Sequence, residues 1–401
     1  MRSSIGRLHD EDGWSIRGTH ELGARFQALR AAQRSPFPTR VRSVLFVGLA
    51  VANFIMAVSC VAPTPSPPAP AAVPAAFPDA PVLPLVVLEA ARPGPTVALV
   101  AGVHGGKVAA IRAIDSLRHM LWPALLRGRV MLVGPANLAG YQAGLAQKSP
   151  DDSLNLNRVF PGTVSGAPTE RLAARIMREI VAKSDYLVDM HGSDGEEAVG
   201  RFAYAARPGL DLAVDSAALR LAMAWGVPIV VWDDAGPRTL ATSRFLQTAA
   251  HLSGVPAITV FEAGATREDS AATQHFIEGA MALLVSLEML APTPEPSPPA
   301  LGAASSQGAP SSKGAQSSQS AATRVLPRRA VTLAPAAGVW TPVVRAGATV
   351  TTGELLGTFN DSTEVRVELR AAASGVVLHQ RLAGTVPSSA TLIILGVIGL
   401  E

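Results

Sequence analysis

The sequence predicts an α/β fold with a mixed sheet flanked by helices, followed by a small all-β, barrel-like domain at the carboxyl end. Two observations predict the first part. Short apolar runs alternate with helix-like stretches between residues 82 and 290, and polar residues stand at the ends of several of these runs. A third observation predicts the second part, because after residue 324 short runs rich in Val, Leu and Thr are punctuated by glycines.

The apolar runs and the stretches between them define the predicted elements of the α/β domain. The predicted strands are 84–89, 96–103, 129–135, 185–190, 228–232 and 256–261. The predicted helices lie near 108–126, 168–183, 211–225, 240–252 and 271–290. Binding sites in sheets of this kind lie at the carboxyl ends of the strands, so we expect the functional residues there.

Residues 1–60 predict an amino-terminal extension that carries an export leader. Arg42 precedes about 16 mostly apolar residues, which is short for a membrane span and typical of a signal-peptide core. The run ends in "AVSC", which resembles the bacterial lipobox, where the cysteine becomes the lipidated first residue; a plain cleaved signal or an anchor is the alternative. We therefore expect an exported protein of the cell envelope, held at the membrane by the leader or by a lipid on Cys60.

Two low-complexity segments predict the domain boundaries. Residues 61–81 are rich in Pro and Ala and predict an extended tether, and residues 291–323 predict a disordered linker. They delimit an α/β domain at 82–290 and a β domain at 324–401. The net charge of +3 comes from a leader with eight arginines and four acids, so nothing indicates a nucleic-acid partner.

Four short stretches carry polar residues where strand ends or loops are predicted. They are "GVHGGK" (102–107), "NLNRVFPG" (155–162), "YLVDMHG" (186–192) and "ITVFEAG" (258–264). Two histidines and a glutamate at the carboxyl ends of separate strands can converge in one cleft.

The sequences of these stretches and their order along the chain resemble the motifs of the succinylglutamate desuccinylase/aspartoacylase family. That family has a zinc carboxypeptidase-like fold and a biotinyl-lipoyl-like barrel. The resemblance covers roughly residues 84–400, and "NLNRVFPG" and "DMHG" are its most specific pieces. It implies that His104 and His191 bind one zinc ion and that Glu262 is the general base that activates the metal-bound water. It also implies that Asn157 and Arg158 bind the substrate carboxylate.

The resemblance implies a zinc-dependent hydrolase that cleaves amide bonds in small carboxylate-bearing substrates of the N-acyl amino acid type. The alternative is a non-catalytic relative that acts as a ligand-binding protein of the envelope. Lys107 raises this alternative, because the family has a glutamate zinc ligand at that position. Lysine binds zinc only as the neutral amine, and deprotonation at pH 7 costs about 4.6 kcal/mol.

Three interpretations of Lys107 remain open at the level of the sequence. In the first, another acid supplies the third ligand, and Asp194, Glu196 and Glu197 follow His191 closely. In the second, the Lys107 ammonium occupies the place of the metal and pairs with Glu262. In the third, Lys107 points out of the cleft into solvent.

Overall fold

The computed structural model describes residues 81–263, 269–292, 322–361 and 366–399, all within one structural unit, Pro65–Glu401. The predicted leader with Cys60, the tether up to residue 80 and the linker from 293 to 321 lie outside these residues, so export and lipid attachment stay predictions. Within the described ranges, no helix combines the length and the apolar character that crossing a membrane requires.

A mixed sheet of eight strands forms the centre of the α/β part. The strands up to residue 326 are β1 (Leu85–Glu89), β2 (Thr96–Ala101), β3 (Arg129–Val133), β4 (Tyr186–Gly192), β5 (Glu197–Val199), β6 (Phe202–Ala206), β7 (Ile229–Asp233), β8 (Ala257–Glu262) and β9 (Arg324–Leu326). The order of the strands in the sheet is β1-β3-β2-β4-β8-β6-β7-β9. Strands β3, β2, β4 and β8 run parallel, whereas β1 and β6 pair antiparallel with β3 and β8. The central strands are apolar along their length because helices cover both faces of the sheet.

Helices pack on the two faces of this sheet and create two apolar cores. They are α1 (Val108–Leu121), α2 (Leu138–Gln142), α3 (Pro168–Glu179), α4 (Leu212–Trp225), α5 (Leu246–Leu252) and α6 (Ser270–Ser286). Side chains of α1, α4 and α6 form the first core with one face of β4 and β8. Side chains of α3 and α5 form the second core on the opposite face.

The carboxyl-terminal part consists of two antiparallel sheets. Its strands are β10 (Arg329–Leu333), β11 (Gly338–Pro342), β12 (Thr349–Val350), β13 (Leu355–Asp361), β14 (Arg366–Arg370), β15 (Gly375–Arg381), β16 (Gly384–Val386) and β17 (Thr391–Val397). One sheet has the order β10-β17-β15-β12 and the other β14-β13-β11-β16. The fully buried rings of Trp340 and Phe359 lie in the core of this part.

Two strand pairings connect the parts. Strand β9 comes after the predicted linker but extends the α/β sheet by pairing parallel to β7. Strand β5 leaves the α/β part and pairs antiparallel with β15. The predicted fold class, a mixed sheet with flanking helices followed by a β region, is confirmed.

Candidate active site

Two histidines meet at the carboxyl edge of the sheet. His104 follows β2 and His191 lies near the end of β4, the parallel neighbour of β2. Their ring centroids are 5.2 Å apart and the rings are nearly perpendicular, at 89°. Gly105 allows this turn, since a Cβ there would lie 2.5 Å from backbone atoms of Gly140 and Tyr141.

Hydrogen bonds to Nε2 orient both imidazoles. Nε2 of His104 lies 3.0 Å from Oδ1 of Asn155, and Nε2 of His191 lies 2.9 Å from Oδ1 of Asp189. Oδ1 of Asn155 also accepts from the backbone N–H of Asn157, so it acts as an acceptor. Each Nε2 therefore donates, which leaves Nδ1 of each ring as the acceptor nitrogen.

His104 is held as the neutral imidazole. Burial lowers its pKa well below the ordinary value, and the nearby Lys107 ammonium adds to this shift. Its Nδ1 is buried and has no hydrogen-bond partner among the described residues. A buried hydrogen-bond acceptor without a partner raises the free energy of the folded state. The lone pair of this nitrogen is therefore available to a hydrogen-bond donor of a ligand or to a metal ion.

The loop after residue 154 places Asn157 and Arg158 near His104. Asn157 is buried, and its Oδ1 accepts a hydrogen bond of 2.9 Å from the backbone N–H of Leu246, the first residue of α5. The guanidinium of Arg158 lies 4.9 Å from the centre of the Phe245 ring and donates one hydrogen bond, of 2.8 Å, to the Asn157 carbonyl. Asn157 thus holds the loop, while the exposed Arg158 can bind a carboxylate.

Lys107 points inward rather than into solvent. Its side chain is 1% exposed, and its Nζ lies 2.9 Å from Oδ2 of Asp194 and 2.5 Å from Oε1 of Glu197. Burial acts to lower the pKa of Lys107, but Glu197 and Asp194 outweigh it and raise that pKa. The side chain is therefore an ammonium at neutral pH.

Both acids are held by further contacts. Oδ1 of Asp194 accepts from the backbone N–H groups of Glu196 and Glu197, at 2.8 and 3.0 Å. Oε2 of Glu197 lies 2.6 Å from Nε2 of His379 on β15. Burial alone would raise the pKa of Glu197, but Lys107 and His379 hold it well below the ordinary value.

These contacts decide two of the three interpretations of Lys107. The solvent-facing interpretation is wrong, because the side chain is buried. The Lys107 ammonium forms ion pairs, as the second interpretation proposed. The predicted pairing with Glu262 is wrong, because Lys107 pairs with Asp194 and Glu197. In the first interpretation these two acids were candidate zinc ligands, and here they bind Lys107; Glu196 pairs with Arg381 at 3.0 Å.

Glu262 lies on the face of the sheet opposite to His191. In the register of β4 and β8, His191 pairs with Phe261 and Glu262 pairs with Gly192. Paired residues of neighbouring strands point to the same face, and the rings of His191 and Phe261 are 5.5 Å apart. A Cβ on Gly192 would meet Phe276 of α6 at 3.9 Å, which places the Glu262 side chain on the face of the first core.

The contacts of Glu262 are consistent with this placement. Its side chain is fully buried, and Oε2 lies 2.9 Å from Nε of Arg201 and 3.5 Å from Nδ1 of His275 on α6. Burial raises the pKa of Glu262 to about 7, although Arg201 opposes this shift. The structure thus brings His104 and His191 together, places the charge of Arg158 near His104 and directs Glu262 to the opposite face of the sheet. The role of Glu262 as general base stays a prediction.

The donor set does not complete a three-ligand zinc site. Among the residues that the structure describes, there is no group of three or more His, Cys, Asp or Glu side chains that could hold a metal ion. The two imidazoles fit such a site, and the partnerless Nδ1 of His104 is a suitable donor. The third position carries an ammonium, which has no lone pair to donate.

The sequence did not reveal the basic residues that contact Glu262 and Glu197. Arg201 precedes β6, a strand that was not predicted, and His379 lies on β15, 182 residues after Glu197. No motif marks either residue. The acidic stretch "HGSDGEE" did draw attention to Asp194 and Glu197.

Comparison with known proteins supports the family. Residues 93–286 match the model of the succinylglutamate desuccinylase/aspartoacylase catalytic domain. The chain is 34% identical over 151 residues to the N-alpha-acetyl-L-2,4-diaminobutyric acid deacetylase of Halomonas elongata. This match covers 37% of the chain and 43% of the relative, so it spans less than half of that enzyme's length.

Solved structures share the fold across most of the chain. The product-bound ectoine utilization protein EutE (DoeB) of Ruegeria pomeroyi has a TM-score of 0.62 and 22% identity, covering 79% of this chain and 88% of that one. The succinylglutamate desuccinylase/aspartoacylase of Rhodobacter sphaeroides has a TM-score of 0.62 and 21% identity, covering 80% and 90%. The sequence motifs and the family model agree: residues 93–286 of this chain match the succinylglutamate desuccinylase/aspartoacylase catalytic domain.

Proposed function

We propose that this protein is a deacylase that hydrolyses the amide bond of small, carboxylate-bearing N-acyl amino acids. The observation that carries the proposal is the pair of imidazoles at the carboxyl edge of the sheet, with ring centroids 5.2 Å apart and the positive charge of Arg158 near His104. The curated relative, a deacetylase of an N-acetylated amino acid, supports the same class of reaction.

Substrate binding in this proposal depends on Arg158. A planar guanidinium binds a carboxylate through two parallel hydrogen bonds, which fixes the orientation of the ligand as well as its position. The guanidinium carbon of Arg158 lies over the Phe245 ring, 4.9 Å from the ring centre, and this contact helps to fix its position. The amide group of a short N-acyl amino acid bound there would lie next to the two imidazoles.

His191 is the side chain best arranged to move a proton. Its Nε2 is bonded to Asp189, so Nδ1 can accept a proton from a water that attacks the amide carbonyl. The Asp189 carboxylate stabilises the resulting imidazolium, which then returns the proton to the leaving amine nitrogen. The family resemblance implies zinc chemistry, but the residues present do not complete a zinc site, and this sequence of steps uses side chains alone.

A second candidate function is ligand binding without turnover. The ion network of Lys107, Asp194 and Glu197 favours it, because an ammonium replaces the third zinc ligand that hydrolysis in the family implies. The carboxylate-binding Arg158 does not depend on this change, so recognition of the ligand would survive.

One experiment separates the two functions. The purified full chain is incubated with N-acetyl-L-2,4-diaminobutyrate and with N-succinyl and N-acetyl amino acids, and primary amine release is measured by fluorescence. Binding of the same compounds is measured by calorimetry. We expect amine release that falls at least about 100-fold in His191→Gln, whereas His119→Gln, an exposed histidine on α1, leaves it unchanged.

The outcomes have clear meanings. Binding without amine release would contradict the hydrolase and support the binding protein. Absence of both would contradict both candidates for this class of ligand. Equal turnover in His191→Gln and the parent would remove His191 from the mechanism.

A further inference from the structure

The environment of Lys107 is that of a cation site. Lys107 is the residue before α1, three positions after His104, and its side chain is among the largest fully buried ones. Its Nζ contacts two carboxylates, Asp194 at 2.9 Å and Glu197 at 2.5 Å. Two acids converge on one buried positive charge, beside two imidazoles.

The positive charge of Lys107 stabilises Asp194 and Glu197 in their buried positions. The Asp194 side chain is fully buried and that of Glu197 is 15% exposed. Two carboxylates brought together away from water repel each other, and each loses hydration. The remaining oxygens of both acids are already fixed, by backbone N–H groups at Asp194 and by His379 at Glu197. Movement of the acids into solvent would break these contacts.

The same ammonium opposes a divalent cation at the imidazoles. Lys107 and His104 belong to one tight turn, in which the backbone N–H of Lys107 donates a hydrogen bond of 3.1 Å to the His104 carbonyl. A zinc ion bound to His104 would carry twice the charge of a proton at the same place, and the repulsion from Lys107 would rise accordingly. The acids that could offset it are bound to the lysine.

We infer that the Lys107 ammonium is a built-in cation that replaces the metal ion of this site: it assembles Asp194 and Glu197 beside the imidazoles without zinc and excludes zinc from them. The inference concerns metal binding and folding, so it goes beyond the proposed hydrolase and does not depend on turnover.

Zinc binding to the full chain tests the exclusion. The wild type, Lys107→Glu and Lys107→Met are dialysed against zinc, and bound metal is measured by mass spectrometry. Lys183→Glu is the matched control, because it makes the same charge change at an exposed lysine. We expect no stoichiometric zinc in the wild type or in Lys183→Glu, and zinc affinity at least about tenfold tighter in Lys107→Glu, where a carboxylate becomes the third donor.

Thermal unfolding tests the assembly. We expect the wild type to unfold at the same temperature with and without a chelator. Lys107→Met removes the charge but keeps a similar volume, and we expect its Tm to fall by about 5 °C or more because Asp194 and Glu197 lose their cation.

Several results would overturn the inference. Stoichiometric zinc in the wild type, or a wild-type Tm that falls in chelator, would show that the lysine does not replace the metal. Zinc binding by neither wild type nor Lys107→Glu would show that the lysine is not what excludes it. A Tm for Lys107→Met equal to that of the wild type would show that the acids do not need the ammonium. None of these measurements uses amine release, so failure of the deacylase proposal would be recognised separately.

Discussion

Replacement of Glu262 by glutamine should make this protein more stable at neutral pH relative to the wild type. Burial raises the pKa of Glu262 from 4.5 to about 7 in the folded chain. Between these values the folded state binds more protons than the unfolded state, so the contribution of this carboxyl to stability falls as the pH rises. Below pH 4.5 both states are protonated, and above pH 7 the cost of the buried charge is complete.

The magnitude follows from the two pKa values. The difference between 4.5 and about 7, at about 1.4 kcal/mol per pH unit, gives about 3 kcal/mol. Glutamine has nearly the same shape and no charge to bury. The free energy of unfolding of Glu262→Gln minus that of the wild type should therefore rise by about 3 kcal/mol from pH 4.5 to pH 7 and stay constant above.

Urea unfolding followed by circular dichroism, at several pH values, measures this difference. Glu288→Gln is the control, because that side chain is 82% exposed and pairs only loosely, at 3.4 Å, with Arg127; its difference from the wild type should stay flat. A difference for Glu262→Gln that does not change with pH would refute the reasoning. Amine release by the same variant is informative too: a loss of about 10²-fold or more would show that Glu262 acts as the general base despite its placement.

Other substitutions test separate parts of the structure. Arg158→Ala should raise KM, or the Kd of a carboxylate ligand, by about 10-fold or more with a smaller change in kcat, and an unchanged KM would exclude the guanidinium from binding. Gly279→Ala should lower the free energy of unfolding in urea by about 1–3 kcal/mol, because its Cβ would lie 2.3 Å from the Trp225 ring. Asp215→Asn should lower it by about 1–3 kcal/mol, since Oδ1 of Asp215 lies 2.8 Å from Nε2 of the buried His251; a smaller loss would mean that this hydrogen bond is dispensable.

Much of the α/β fold could be predicted because its strands are short apolar runs with glycines and prolines between them. The predicted strand at 256–261 is observed as Ala257–Glu262, and the helix predicted at 211–225 is observed as Leu212–Trp225. That helix has clear local signals: Asp211 accepts hydrogen bonds at its start, and Gly226 ends it with a φ of 81°.

Elements whose stability comes from distant partners were missed. Strand β6, Phe202–Ala206, is flanked by arginines and shows little alternation of apolar and polar residues, so its sequence resembles a loop. Its pairing with β7 and β8 makes it a strand. Strand β5 is only three residues long and forms because β15 lies beside it. Neither partner can be read from the local sequence.

The site shows the same division between local and distant information. His104, His191 and Arg158 could be recognised because each stands in a distinctive stretch at a strand end or in a loop. The sequence also showed that Lys107 is unusual. Its burial and its two acidic partners depend on the loop that β5 anchors to β15, so they required the folded chain.

The pairing of β9 with β7 and of β5 with β15 has a consequence for anyone who shortens this chain. A fragment that stops at Leu290 would leave Ile229–Val231 without β9 on one side and Glu197–Val199 without β15. Unsatisfied strand edges recruit other chains, so such a fragment should aggregate during expression instead of yielding a smaller folded domain.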